Sequence, residues 1–111
     1  MGILRQETAN KTEIAPMRVR YLTHTDKLMM VVIDFFDGPG EEPDPPHSHP
    51  HEQVTYVADG KIVFYLNGEP FELSQGDMFT VPPDVPHSIQ LLSTHARLVD
   101  TFTPLREEFL G

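Results

Sequence analysis

Pro46-His47-Ser48-His49-Pro50-His51-Glu52-Gln53-Val54-Thr55-Tyr56-Val57-Ala58-Asp59-Gly60 is the stretch that decides the fold. His47, His49, His51 and Gln53 share one parity, so an extended strand directs them to one face and Glu52 to the other. Several imidazoles and an amide oxygen aimed together supply much of the coordination shell of a first-row transition metal. A partner arrives from far along the chain. His87 follows Val81-Pro82-Pro83-Asp84-Val85-Pro86, a stiff turn suited to a ligand carried by a separate strand. A His-rich surface strand would account for one histidine, but not for the alternation together with its distant partner.

The two segments resemble the paired motifs of the cupin family. The first reads His47, His49, a three-residue gap, Gln53 where Glu is usual, six residues, then Gly60. The second reads Gly76, five residues, Pro82, Asp84 in a Gly place, two residues, His87, then Leu91 in an Asn place. The resemblance implies an all-β fold, the cupin or double-stranded β-helix (jelly-roll) barrel. It also implies one divalent transition metal ion, whose ligands fall on His47, His49, Gln53 and His87. These donors suit manganese, iron, nickel, zinc, cobalt or copper. His51 lies inside the motif's spacer and is placed at the rim, while His24 and His95 read as surface histidines.

Outward from the motifs, the chain reads as short strands joined by tight turns, consistent with its eleven prolines and seven glycines. Residues 1–16 are expected to form an arm or edge strand, and residues 17–111 one barrel domain. Strands are expected over Met17–Tyr21, Leu28–Phe36, Val54–Ala58, Lys61–Leu66, Pro70–Leu73, Met78–Val81, Ser88–Leu92 and Ala96–Thr103. Leu28–Phe36 is nearly all apolar and reads as a buried strand. Asp59-Gly60 and Asn67-Gly68 read as hairpin turns. The acidic loop Asp37–Asp44 is placed at the barrel mouth, and Leu105–Leu110 forms a short C-terminal helical turn.

Composition narrows the function. The 111 residues suffice for one core without staples, and the chain has no cysteine, hence no disulfide or thiolate zinc site. The missing cysteines fit a reducing compartment, and the N-terminal residues lack a secretory h-region, so a cytoplasmic location is expected. No stretch is long and apolar enough to cross a bilayer. A net charge of -9 argues against nucleic acid as a partner. It also requires that any anionic substrate be attracted locally, by a metal or a placed arginine.

Gln53 leaves a divalent ion its full charge, which favours Lewis-acid work over oxygen chemistry. In the last strand Leu98, Asp100 and Phe102 share a parity. Parity leaves Asp100 two readings: a desolvated acid lining the barrel, or a carboxylate facing solvent. Arg106, on its own, reads as a solvated charge at a helix end.

A narrower resemblance adds roles. His47-Ser-His-Pro-His-Glu-Gln, the Leu28-Met-Met-Val run, Val-Pro-Pro before His87 and the ending Asp100-Thr-Phe-Thr-Pro-Leu-Arg-Glu-Glu-Phe-Leu resemble the pectin-degradation cupins. These linearise 4,5-unsaturated uronates. The resemblance implies a small anionic sugar acid as substrate, Asp100 as proton carrier, and Phe102 and Arg106 beside it as catalytic residues. Tyr56 and Phe102 are expected to shape the pocket walls. A homodimer is expected from resemblance to small cupins. The alternatives are a metal-dependent dioxygenase of the quercetinase or cysteine-dioxygenase kind, and a non-catalytic barrel that binds a small ligand with its metal.

Overall fold

The computed structural model describes residues 2–110, so Met1 and Gly111, the ends of the expected arm and barrel ranges, lie outside it. Nine strands follow in order: β1 Thr12–Ala15, β2 Arg18–His24, β3 Met29–Phe35, β4 Glu52–Asp59, β5 Lys61–Leu66, β6 Glu69–Ser74, β7 Met78–Val81, β8 His87–Leu91 and β9 Ala96–Thr103. They form two antiparallel sheets, β1-β2-β3-β9-β4-β7 and β6-β5-β8. The sheets close on a shared core to which β3, β4 and β9 contribute Phe35, Val57 and Leu98, and β5 and β8 contribute Ile62, Phe64 and Leu91. This is the expected jelly roll. The expected arm supplies β1, an edge strand paired to β2, and the C-terminal turn is 3-10 over Glu107–Phe109.

Two of the expected turns behave differently. At Asn67-Gly68 both residues have positive φ, 50° and 83°, as a two-residue hairpin requires, and β5 pairs with β6. At Asp59-Gly60 only Gly60 does, with φ 86°, and β4 never pairs with β5. The chain instead crosses there from the larger sheet to the smaller. A Cβ at Gly60 would collide with the His95 carbonyl, so the motif glycine is required both by conformation and by space. Asp84, in the second motif's Gly place, has φ 65°, a conformation that Asp tolerates better than most side chains.

Burial along β3 follows mainly one face, with Asp34 also buried on the other. Met29 and Val31 are fully buried, whereas Met30 is 45% exposed. Met30, Val54, Tyr56 and Met78 lie on the outer face of the larger sheet, which accounts for the continuous apolar reading.

His95, expected at the surface, is partly exposed there but held by two carboxylates. Its ring bridges Asp59 (Nδ1, 2.5 Å) and Asp34 (Nε2, 2.9 Å), and Asp34 also accepts from Arg97 (2.8 and 2.9 Å) and Tyr21 (2.5 Å). Burial opposes the charge on Asp34, but donors from Arg97, Tyr21 and His95 outweigh it and hold the carboxyl well below its usual range. Burial likewise opposes the charge on His95, and its two carboxylate partners outweigh it and raise its pKa. Asp34 therefore stabilises the fold above its unfolded pKa of about 4, and that contribution is lost as pH falls toward the folded value. His95 contributes below its unfolded pKa of about 6.5 and loses that contribution as pH rises through the folded value. Melting temperature is expected to be highest between these limits. Asp34→Asn should flatten the profile and cost on the order of 2 kcal/mol near pH 6, read by thermal melts from pH 3 to 9.

Candidate metal centre

Strand register assembles the site. His47 and His87 form an isolated bridge in which each backbone N–H donates to the other's carbonyl, at 3.0 and 2.9 Å. This joins the first motif's first histidine to the second motif's histidine. The His47, His49 and His87 rings converge with centroids 4.3 to 6.0 Å apart, and one nitrogen of each lies within 4.8 Å of the others. Two of the rings are aimed by backbone carbonyls. His87 Nδ1 lies 2.9 Å from the Val85 carbonyl and His49 Nδ1 lies 3.1 Å from that of His51. A carbonyl only accepts, so these contacts place the proton on Nδ1 and leave Nε2 as the free lone pair.

The electrostatics suit a cation. Burial, then the neighbouring His49 and Arg106, lowers the pKa of His47. Burial lowers the pKa of His49, opposed by the acceptor oxygens of Gln53 and His51 beside its ring. Burial takes His87 down to about 4, with the other two histidines adding to the effect. All three are neutral at pH 7, the form that ligates metal. His87 Nε2 is buried with no hydrogen-bond partner. His49 Nε2 faces Gln53 Oε1 at 3.0 Å, and with the imidazole proton on Nδ1 these are two acceptors facing each other. An orphaned nitrogen beside an acceptor pair is what a divalent ion would satisfy, so His47, His49, His87 and Gln53 fit a transition metal.

Asp100 sits next to this cluster on the inward face of β9, where Ala96, Leu98, Asp100 and Phe102 are all buried. It lies opposite Thr55 in the β4–β9 register, as Phe102 lies opposite Gln53. Asp100 Oδ1 accepts from the Thr55 hydroxyl at 2.6 Å and from Gln53 Nε2 at 3.4 Å. Burial raises its pKa to about 6, against the hydrogen bond from Thr55, the charge of Arg106 and the hydrogen bond from Gln53. A Glu at position 53 would set a second buried carboxylate beside Asp100 and offer it no donor. Gln is the residue that serves both neighbours.

A cavity of about 280 Å³ opens on these groups, lined by His47, Gln53, His87, Asp100, Phe102 and Arg106 among apolar walls. Arg106 stacks over Phe102 and Phe109, with Cζ 5.1 and 4.3 Å from the ring centres. Its other partner is Glu108 at 3.1 Å, a half-exposed carboxylate. Arg18 also lines the cavity, but Asp44 holds its fork at 2.7 and 3.1 Å and Asp37 takes its Nε. The acidic loop is thereby tied to the mouth, where it was expected.

Two expectations differ. Tyr56 is not a pocket wall; its parity is opposite to that of Gln53, and it is 43% exposed on the outer face. His51 is not at the rim but buried, its ring centre 6.4 Å from that of Phe102, and it contributes its carbonyl to His49. Thr55 escaped the sequence reading although it shares the inward parity of the ligand strand.

A model of the cupin domain family matches residues 35–102. The pectin degradation protein KdgF of Dickeya dadantii is 35% identical over 92 residues, 82% of this chain and 81% of that protein. Among solved structures, KdgF from Halomonas sp. superposes with a TM-score of 0.88 at 29% identity, covering 98% of each chain. An RmlC-like cupin from Shewanella frigidimarina superposes at 0.87 with 33% identity, covering 98% of this chain and 96% of the other. With a family model spanning over half its length, and both histidine motifs meeting in space as that fold requires, the chain belongs to the cupin family.

Proposed function

We propose that this cupin opens the ring of 4,5-unsaturated uronates and yields the 5-keto acid. The observation that carries the proposal is a buried carboxyl, Asp100, sharing one cavity with a cluster of neutral imidazoles and a cation, Arg106. Likeness to two proteins called KdgF, one of them a pectin degradation protein, supports the substrate class. His47, His49, Gln53 and His87 would hold the ion. When bound, a divalent ion supplies Lewis-acid charge to an oxygen of the sugar acid.

The residues then have distinct tasks. Arg106 pairs its planar fork with the substrate carboxylate and exchanges its exposed Glu108 partner for a buried one. Phe102 holds the guanidinium from below and closes one side of the cavity. Asp100 takes the hydroxyl proton from C1 as the C1–ring-oxygen bond breaks, leaving an aldehyde and an enolate. It then returns that proton to C4, where the double bond is lost. A pKa near 6 lets the carboxyl both take and give a proton near neutral pH.

Loss of the enol-ether absorbance of freshly made unsaturated galacturonate is the test. Metal-loaded protein should accelerate it well above the spontaneous rate, and an unchanged rate would overturn the proposal. Arg106→Leu should raise KM by about 10–100-fold, the loss of one charge-assisted fork. An unaltered KM would remove Arg106 from substrate binding.

A further inference from the structure

We propose that Thr55 is a positioning residue that decides which end of the Gln53 amide faces the three imidazoles. This rests on the reading of the cluster as a metal site and extends it to a residue outside the ligand set. Thr55 is fully buried, so it reaches substrate only through its neighbours. Its hydroxyl lies 2.9 Å from Gln53 Nε2 and 2.6 Å from Asp100 Oδ1.

A hydroxyl has one proton to give and two lone pairs. Gln53 Nε2 can only donate, so Thr55 accepts from it and spends its own proton on Asp100. The second amide proton points to Asp100 at 3.4 Å. Both donors of the amide are thus used on the Asp100 side, and Oε1 is left toward His49 at 3.0 Å. A flipped amide would set its oxygen against Thr55 and Asp100 and present an NH2 group, which cannot ligate, to the imidazoles. Without the hydroxyl the amide orientation rests on the long contact to Asp100 alone.

The register explains why the group can be this rigid. Gln53 and Thr55 are i and i+2 on β4, and Asp100 stands directly opposite Thr55 on β9. All three project from the paired backbone of interior strands, with β7 and β9 flanking β4 on either side.

The test uses Co2+ alone and no substrate. Metal-free wild type, Thr55→Val and Thr55→Ser are titrated with Co2+ against a competing chelator, following its visible absorption, with melting curves alongside. Thr55→Val, which keeps the volume and removes the hydroxyl, should bind Co2+ about 10–100-fold more weakly, and Thr55→Ser should stay within about 3-fold of wild type. If the valine protein does not fold, Thr55→Ala against Thr55→Ser repeats the comparison with the methyl absent from both. Wild-type affinity in the valine or alanine variant would overturn the proposal. Equal losses in the serine variant and in the variant lacking the hydroxyl would overturn it too, because the hydroxyl would then not be the cause. A wild type that takes up no Co2+ would overturn the metal reading and this proposal with it. Wild-type uptake with an unaltered Thr55→Val would overturn this proposal alone.

Discussion

Asp100→Asn is expected to lose turnover of unsaturated uronate by about 10²–10⁴-fold, the range contributed by a placed proton carrier. The same substitution is expected to make the metal-free protein more stable. Asp100 has a folded pKa raised to about 6, because burial penalises its charge. The sign follows from proton uptake. Between the unfolded pKa of about 4 and the folded value, the native state binds the extra proton, so stability falls as pH rises. Above pH 6 the penalty is fully present, and below pH 4 it is absent. Asn has no charge to desolvate, and its carbonyl oxygen still accepts from Thr55. Denaturant melts of the metal-free proteins should therefore favour Asp100→Asn by on the order of 2 kcal/mol at pH 8, with the advantage gone at pH 4. Equal activity of wild type and variant would remove Asp100 from the chemistry. Equal stability at pH 8 would contradict its desolvation.

His49→Ala is expected to abolish both metal retention and turnover, leaving no more than about 1% of the wild-type rate, since outer-shell changes alone cost 10–100-fold and this one removes a ligand. His49 is the member of the cluster that faces Gln53 directly, so its loss breaks two of the contacts that define the site. Chelator treatment of the wild type should produce the same loss, reversed by adding a divalent transition metal. The fold should persist in both cases, because the core around Val57, Ile62 and Leu98 is separate from the histidines. Elemental analysis with activity before and after chelation checks it. Full activity in a metal-free His49→Ala protein would contradict any catalytic role for the cluster.

The ligand strand was legible because its signal is local. Period-2 alternation places His47, His49 and Gln53 together, and the Pro-rich turn before His87 marks a separate element. The same parity, applied strictly, would have put Thr55 in the site and Tyr56 outside it. Asp100 was different, since a carboxylate between Leu98 and Phe102 on the apolar parity can read as buried or solvated, and only the pairing of β9 between β3 and β4 shows that this face is inward. The Asp59-Gly60 corner and the Asn67-Gly68 hairpin look alike in sequence. They part company because β4 and β5 belong to different sheets, a property of the whole topology. His95 was opaque for a related reason. Its partners Asp34 and Asp59 lie 61 and 36 residues away, beyond any local pattern.

The most direct measurement of the central claim is product analysis by NMR after unsaturated galacturonate has been turned over in D2O by metal-loaded protein, with dissolved oxygen recorded. The expected product is an acyclic 5-keto acid carrying deuterium at C4, formed faster than in the protein-free control and without oxygen consumption. Intact cyclic substrate at the control rate, or oxygen uptake with a cleaved carbon skeleton, would contradict it.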